Sequence, residues 1–250
     1  MNKYTDIVKK IHNSPFKITF VSSGGGTNAI SSLLEVPGAS NTILESYIPY
    51  SKDSMDKFLN RKPDHYCSLD TCLSMGANAY KKSKEIDTKT KSKYLLGLSI
   101  TANLATTYEK KGDHKFFIVI QANDYTTYLE CFLEKGKRSR NEEEELITAC
   151  AISLLAESCG LEYPLPDQAE NINIEKIIAE KPWKKLFNNK VGFISNNKSN
   201  PELIFPGSFN PLHEGHIKMK ELAERKTGMH TTFEICAKNA DKPPLTYVEI

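Results

Sequence analysis

Two histidines three residues apart, His213 and His216, enclose Glu214 and Gly215 just after a turn-forming run, and no other stretch of the chain gathers as much chemistry in so few residues. A neutral imidazole can donate a hydrogen bond to a phosphate oxygen, and side chains three apart share one face of a helix. Gly215 has no side chain to keep a ligand from the backbone between the rings. If this stretch opens a helix, unpaired N–H groups and the positive end of the helix dipole lie beside the rings, which is what a triphosphate needs. Donors fixed at that point stabilise negative charge as it shifts in a transition state. The plain alternative is a histidine pair that only caps the helix, or that lies together by chance like half of a metal site.

The elements that must position these rings are legible around them. Leu203, Ile204 and Phe205 form an apolar run that stops at Pro206-Gly207, as a buried parallel strand would. Ser208, Asn210 and Pro211 give the turn, and Ile217, Leu222 and Ala223 continue at helical spacing until Gly228. Thr231 to Ala237 reads as a second parallel strand. Lys242 follows it at the expected carboxyl edge of the sheet, where α/β folds place ligands. Lys242 is a candidate phosphate contact, with a solvent-facing loop lysine as its plain reading.

The run from Gly207 to His216, G-S-F-N-P-L-H-E-G-H, resembles the G-x-F-[DN]-P-x-H-x-G-H signature of the nucleotidyltransferase superfamily, which includes cytidylyltransferases and nicotinamide or nicotinate mononucleotide adenylyltransferases. The resemblance implies a Rossmann-like unit that takes ATP or CTP with Mg²⁺, and a mononucleotide or other phosphate acceptor. The acceptor would attack the α-phosphorus in line and release pyrophosphate, with His213 and His216 as the catalytic residues on phosphate oxygens. Gly207, Ser208, Phe209, Asn210 and Gly215 would form the nucleotide-binding loop; no tightly bound cofactor or resident metal is implied. The superfamily's later I-S-S-T-x-x-R segment has no counterpart. From Leu203 to Ile250 the sequence offers roughly half of the ~100 residues a doubly wound domain needs. The expectation is therefore a truncated first part of such a domain, with weak or no turnover by itself.

The N-terminal part of the chain follows a different plan. Tyr4, Ile7, Val8 and Ile11 repeat at helical spacing. Ile18 to Val21 forms a strand that runs into Ser22-Ser23-Gly24-Gly25-Gly26-Thr27, and Ile30, Leu33 and Leu34 follow as a helix. Val36 to Ser40 makes a turn, Ile43 to Tyr50 a strand, and Ser51 caps a helix with Met55, Phe58 and Leu59 inward. Leu69 to Tyr80 is amphipathic, whereas the lysine-rich run from Lys81 to Lys93 reads as a solvated connection. Tyr94 to Ile100 and Phe116 to Ile120 have the continuous apolar look of central strands. A helix ending at Gly160 carries an expected capping box of Asn141 and Glu144.

Four pieces of this region, in order and at near-constant spacing, resemble the C-terminal domain of the CinA (competence-damage-inducible) family. They are Ser22-Ser23-Gly24-Gly25-Gly26, Val36-Pro37-Gly38-Ala39-Ser40, Tyr50-Ser51 and Gly136-x-Arg138. Active members are nicotinamide-nucleotide amidases of α/β fold that use a serine, a lysine and a nearby tyrosine. Ser23 matches the serine and Tyr50 the tyrosine, but Met55 stands at the lysine position, with Lys52 the one substitute within reach along the helix. Ser22 replaces the family's acid, Gly25 its threonine, and Ser99 to Thr107 its Gly-rich loop. The resemblance thus implies a degenerate amidase site at Ser23 and Tyr50, in a domain that keeps the fold.

The expected fold class is α/β, with a CinA-like domain over 1–160, a linker over 161–201 and a partial Rossmann-like unit over 202–250. In the linker, a helical pattern at Ile174 to Ile178, a strand-like patch at Val191 to Ile194, and Trp183 as a docking anchor are expected. A hydrophobic content of 39% suffices for packed cores, and 33 basic against 31 acidic residues excludes a general nucleic-acid binder. Without a membrane-length apolar run or a signal-like N-terminus, the expected setting is cytoplasmic, and there the six scattered cysteines are most simply buried thiols. Three functions follow as expectations: a nucleotidyltransferase of pyridine-nucleotide metabolism, an amidase, or a non-catalytic nucleotide-binding domain that assembles a homo-oligomer.

Overall fold

In the computed structural model, residues 2–108, 110–167, 171–195, 201–207, 209, 212–238 and 242–250 are described. Helix α1 (Thr5–His12) leads into strand β1 (Lys17–Ser23) and helix α2 (Thr27–Leu34); β2 (Ile43–Tyr47) leads into α3 (Lys52–Leu59) and α4 (Leu69–Ile86). Strands β3 (Leu95–Asn103), β4 (His114–Gln121) and β5 (Tyr125–Leu133) come next. Helix α5 (Arg140–Ser158), strand β6 (Ile172–Ile178) and helix α6 (Lys181–Phe187) complete the first body.

One six-stranded sheet, in the order β2-β1-β3-β4-β5-β6, forms the middle layer of an α/β sandwich. The β2-β1-β3 part is parallel and the β3-β4-β5-β6 part antiparallel. Side chains alternate across the strands, so each strand feeds two cores. Ile18, Phe20, Leu98, Ile100, Ile118 and Leu129 face α1, α2 and α5. Val21 faces Met55 and Met75, while Phe117, Val119 and Tyr128 face Cys72 and Leu73, under α3 and α4. A side chain of this kind taken fully out of water contributes roughly 1.5–3 kcal/mol, and both layers depend on many of them. Helix α4 presses closest at Gly97, where a Cβ would stand 2.3 Å from both Gly76 O and Tyr80 N, so no larger residue fits there.

Four expectations about this region are corrected. The lysine run does not begin a connection at Lys81: α4 continues to Ile86, because Ser83 is fully buried and its Oγ binds Thr19 Oγ1 (2.9 Å) and Leu96 O (2.8 Å). Ile174 to Ile178 is not helical but belongs to β6, antiparallel to β5, with Ile172 and Ile174 packed on the main core. Val191 to Ile194 carries no strand. The box at the start of α5 is Ser139 with Glu142, not Asn141 with Glu144.

The C-terminal segment begins with β7 (Leu203–Gly207), α7 (Glu214–Thr227) and β8 (Thr231–Ile235), a parallel β-α-β unit with its own two-stranded sheet. Helix α7 has no buried residue, and Ile217, Met219 and Leu222 are exposed. The final residues turn back onto the first body. The Tyr247 hydroxyl donates to Asn123 O at 2.8 Å, Tyr247 N–H donates to Thr126 Oγ1 at 3.1 Å, and Phe187 meets the Tyr247 ring edge-on at 5.4 Å. From the α6 region, Phe187 makes the ring contact with this returning segment. Among the described residues no helix is long and apolar enough to cross a membrane.

Candidate functional site

Two places carry the candidate residues, one at the carboxyl end of β1 and one at the start of α7. At the first, Ser23 ends β1 half-buried and its Oγ donates to Pro49 O at 3.0 Å. No base is engaged with it. Met55 is buried in the core beneath α3, and a thioether accepts no proton at neutral pH. Lys52 does not take the missing lysine's place: its Nζ lies out on the exposed side of α3, over the Tyr66 ring at 5.7 Å. Tyr50 is 70% exposed.

The Gly-rich loop after Ser23 is shaped by packing. Ser22, fully buried, donates from its Oγ to Gly25 O and closes the turn. Gly24 has φ +79°, and a Cβ on it would fall 2.0 Å from Ala102 O, so both the backbone conformation and the contact with β3 demand glycine.

Three of the donors that this loop and the start of α2 could offer a phosphate are already engaged. Glu144 reaches over from α5 and its carboxylate accepts from Gly26 N–H (2.8 Å), Asn28 N–H (3.3 Å) and the Thr27 hydroxyl (3.2 Å). Beside it the fully buried Glu143 accepts from Ala105 N–H at 2.6 Å and meets His114 Nδ1 at 2.8 Å. Arg140 donates to Gly24 O (3.1 Å) and Ala105 O (3.2 Å), tying the loop to the segment where the CinA family has glycines. These α5 side chains are the residues that sequence reasoning missed. The signal was present in the run of four glutamates, Glu142 to Glu145, which is more acid than one cap requires.

At the second place His213 is the N-cap of α7, and its Nδ1 accepts from Gly215 N–H at 3.2 Å. His216 Nδ1 accepts in turn from His213 N–H at 3.4 Å, and the rings stack with centroids 3.7 Å apart. With Nδ1 used as an acceptor, the neutral ring carries its proton on Nε2, so each histidine presents an Nε2–H donor. Phe209, at φ +47°, folds back over Gly207 and packs edge-on against His216 (5.1 Å) and Phe233 (4.7 Å). The strand, turn and helix therefore bring His213, Gly215, His216, Gly207 and Phe209 together. Ser208 and Asn210 lie outside the described residues. Lys242 is exposed, and among the described residues no hydrogen bond or ion pair joins it to the histidines. Nor is any group of three or more His, Cys, Asp or Glu side chains there placed to hold a metal ion. Mg²⁺ arriving with a nucleotide would be held mainly by phosphate oxygens.

No family model matches the chain, and no curated protein matches it in sequence. Among solved structures, competence/damage inducible protein CihA from Agrobacterium tumefaciens superposes with a TM-score of 0.50 at 15% identity, over 62% of this chain and 94% of that one. A competence or damage-inducible protein from Enterobacter asburiae gives a TM-score of 0.51 at 13% identity, over 63% and 99%. A CinA superfamily protein from Enterobacter cloacae gives 0.51 at 11%, over 63% and 94%. The chain thus shares a CinA-like α/β fold with these proteins over a little under two thirds of its length. The three structures bear on the CinA resemblance and give no support to the nucleotidyltransferase one.

Proposed function

We propose that the CinA-like part of this chain is a non-catalytic domain that has kept the fold of an amidase and lost its chemistry. The observation that carries this reading is the bond from Ser23 Oγ to Pro49 O, in a site where the lysine position is a buried methionine. A serine attacks an amide carbonyl only when a neighbouring base takes its proton, and here that proton is given to a backbone carbonyl that cannot keep it. Glu144 strengthens the reading, because its carboxylate already occupies two backbone donors, Gly26 N–H and Asn28 N–H, where a phosphate would bind, and puts a negative charge there. The test is ammonia release from nicotinamide mononucleotide by the full chain. Wild type and Ser23→Ala are expected to give the same background, and release that disappears in Ser23→Ala would overturn the reading.

A second reading assigns nucleotidyl transfer to the C-terminal unit, favoured by the stacked pair at the start of α7 with both Nε2–H groups available. In this reading His213 and His216 bind the phosphates of ATP or CTP, Gly207 leaves room for the Phe209 ring that packs on His216, and Gly215 lets the His213 ring lie close to the helix start. The measurement is pyrophosphate release from ATP or CTP in the presence of a mononucleotide. Release lost in His213→Ala supports the reading, and no release above a protein-free control rejects it for this chain.

A further inference from the structure

A cavity of about 290 Å³ lies on the α4 side of the sheet, near the amino ends of β1 and β3 and so away from Ser23. Neither functional reading uses it. It is bounded by the second half of α4, the β4–β5 turn, the end of α6 and the returning C-terminal residues. Three aromatic rings line it, Tyr80, Phe187 and Tyr247, and the last two form the edge-on pair described above. Its lining carries three lysines against one carboxylate, Glu85.

The lysines differ in what they are free to do. Lys238 spends its three N–H donors on Leu186 O (2.9 Å), Phe187 O (3.0 Å) and Asn189 Oδ1 (2.6 Å), so it fixes the end of α6 and offers only its charge. Lys84 is half-buried with its Nζ 4.9 Å from the Tyr80 ring centroid, and among the described residues it makes no hydrogen bond or ion pair. An ammonium group held out of water with its donors unspent is a costly arrangement that an anion relieves. Burial accordingly lowers the Lys84 pKa, and burial together with the Lys84 charge lowers that of Lys238.

We propose that this cavity binds a small aromatic anion, a single ring bearing a carboxylate or a phosphate, with the ring between Tyr80, Phe187 and Tyr247 and the charge on Lys84. The volume is near the lower limit of ordinary small-molecule sites, which suits one ring and its acidic group rather than a dinucleotide. The charge and the rings each contribute, so neither inorganic phosphate nor a neutral ring is a good ligand by itself. Because binding draws a proton onto Lys84, affinity falls as pH rises through the lowered pKa of that group.

The experiment is calorimetric titration of the full chain with benzoate and with phenyl phosphate, alongside benzamide and inorganic phosphate. Saturable heat from at least one aromatic anion is expected, with either control at least about tenfold weaker. Lys84→Met should weaken binding about tenfold, the loss expected for one charge-assisted hydrogen bond, while the thermal midpoint stays within a few degrees. Heats measured at alkaline pH, where Lys84 begins to lose its proton, in buffers of different ionisation enthalpy should show more proton uptake in the wild type than in Lys84→Met. Benzamide binding as tightly as benzoate, unchanged affinity in a folded Lys84→Met, or no heat with either anion overturns the proposal. Should Lys84→Met fail to fold, the proton-uptake measurement on the wild type decides, and its absence has the same force.

Discussion

Glu144 shows how one side chain can settle what a loop is able to do. Its carboxylate satisfies donors at the start of α2 that are otherwise left without an intrahelical partner, which is the part played by a capping residue, here supplied from another helix. Replacement by alanine is expected to cost about 1–2 kcal/mol, read as a lower urea midpoint at unchanged slope. Gly24→Ala should cost more, about 3 kcal/mol, since the new Cβ meets both a left-handed backbone and Ala102 O at 2.0 Å; the same denaturation curves check it. Asp87 gives a pH-dependent case. The hydrogen bond from Lys17 (2.5 Å), then those from Thr90, hold its carboxyl well below the usual carboxylate range. A lowered folded-state pKa adds stability above the unfolded value of about 4, and that stability is lost as the pH falls toward the folded value. Asp87→Asn should therefore lose less stability than the wild type between pH 7 and about pH 3, as followed by urea midpoints.

At the scale of elements, the pattern of the apolar residues gave the right answer for the amphipathic helices and for the strands buried on both faces. Helix α1, the β1–loop–α2 turn, the Ser51 cap of α3 and the apolar runs of β3 and β4 are all legible in this way. The misreadings have particular causes. In β6, Ile174, Ile177 and Ile178 stand three and four apart, which is helical spacing, and only the pairing with β5 shows them to be strand. The second half of α4 looks solvated because Ser83 sits among lysines, although its hydroxyl is spent inside the core. The engagement of the Gly-rich loop by α5 depends on residues more than a hundred positions apart, which no local spacing reports. The histidine pair was legible because its strand, turn and helix are contiguous, while the role of Phe209 as a ring packed on His216 was not. Phe209→Ala should loosen that packing and shift the His216 ring resonances by NMR, leaving those of His12, held by Thr42 and Leu33 O in the other body, in place.

For the whole molecule, the returning C-terminal residues join the two parts. Tyr247 is buried, its hydroxyl and N–H are both engaged by the β4–β5 region, and Val248 packs on the α4-side core. Tyr247→Ala removes these anchors together and is expected to speed proteolytic cleavage after Lys238 in a limited trypsin digest, with the six-stranded body remaining resistant. Tyr247→Phe, which keeps the ring and loses only the hydroxyl, should leave cleavage near the wild-type rate.

The position of β1 in the sheet bears on how the chain reaches this state. It comes before the other strands of its sheet in the chain, yet it lies between β2 and β3 and pairs in parallel with both, from Lys17 opposite Leu95 to Ser23 opposite Thr101. Strands β3 to β5, by contrast, are joined by short connections and can zip up locally, as antiparallel neighbours do. During synthesis β1 and β2 are complete while the other partner of β1 is still inside the ribosome, and the apolar run Ile18 to Val21 is left with an open edge until β3 emerges. The same order makes the β1–β3 closure, across the long stretch between them, the slow and aggregation-exposed event of folding.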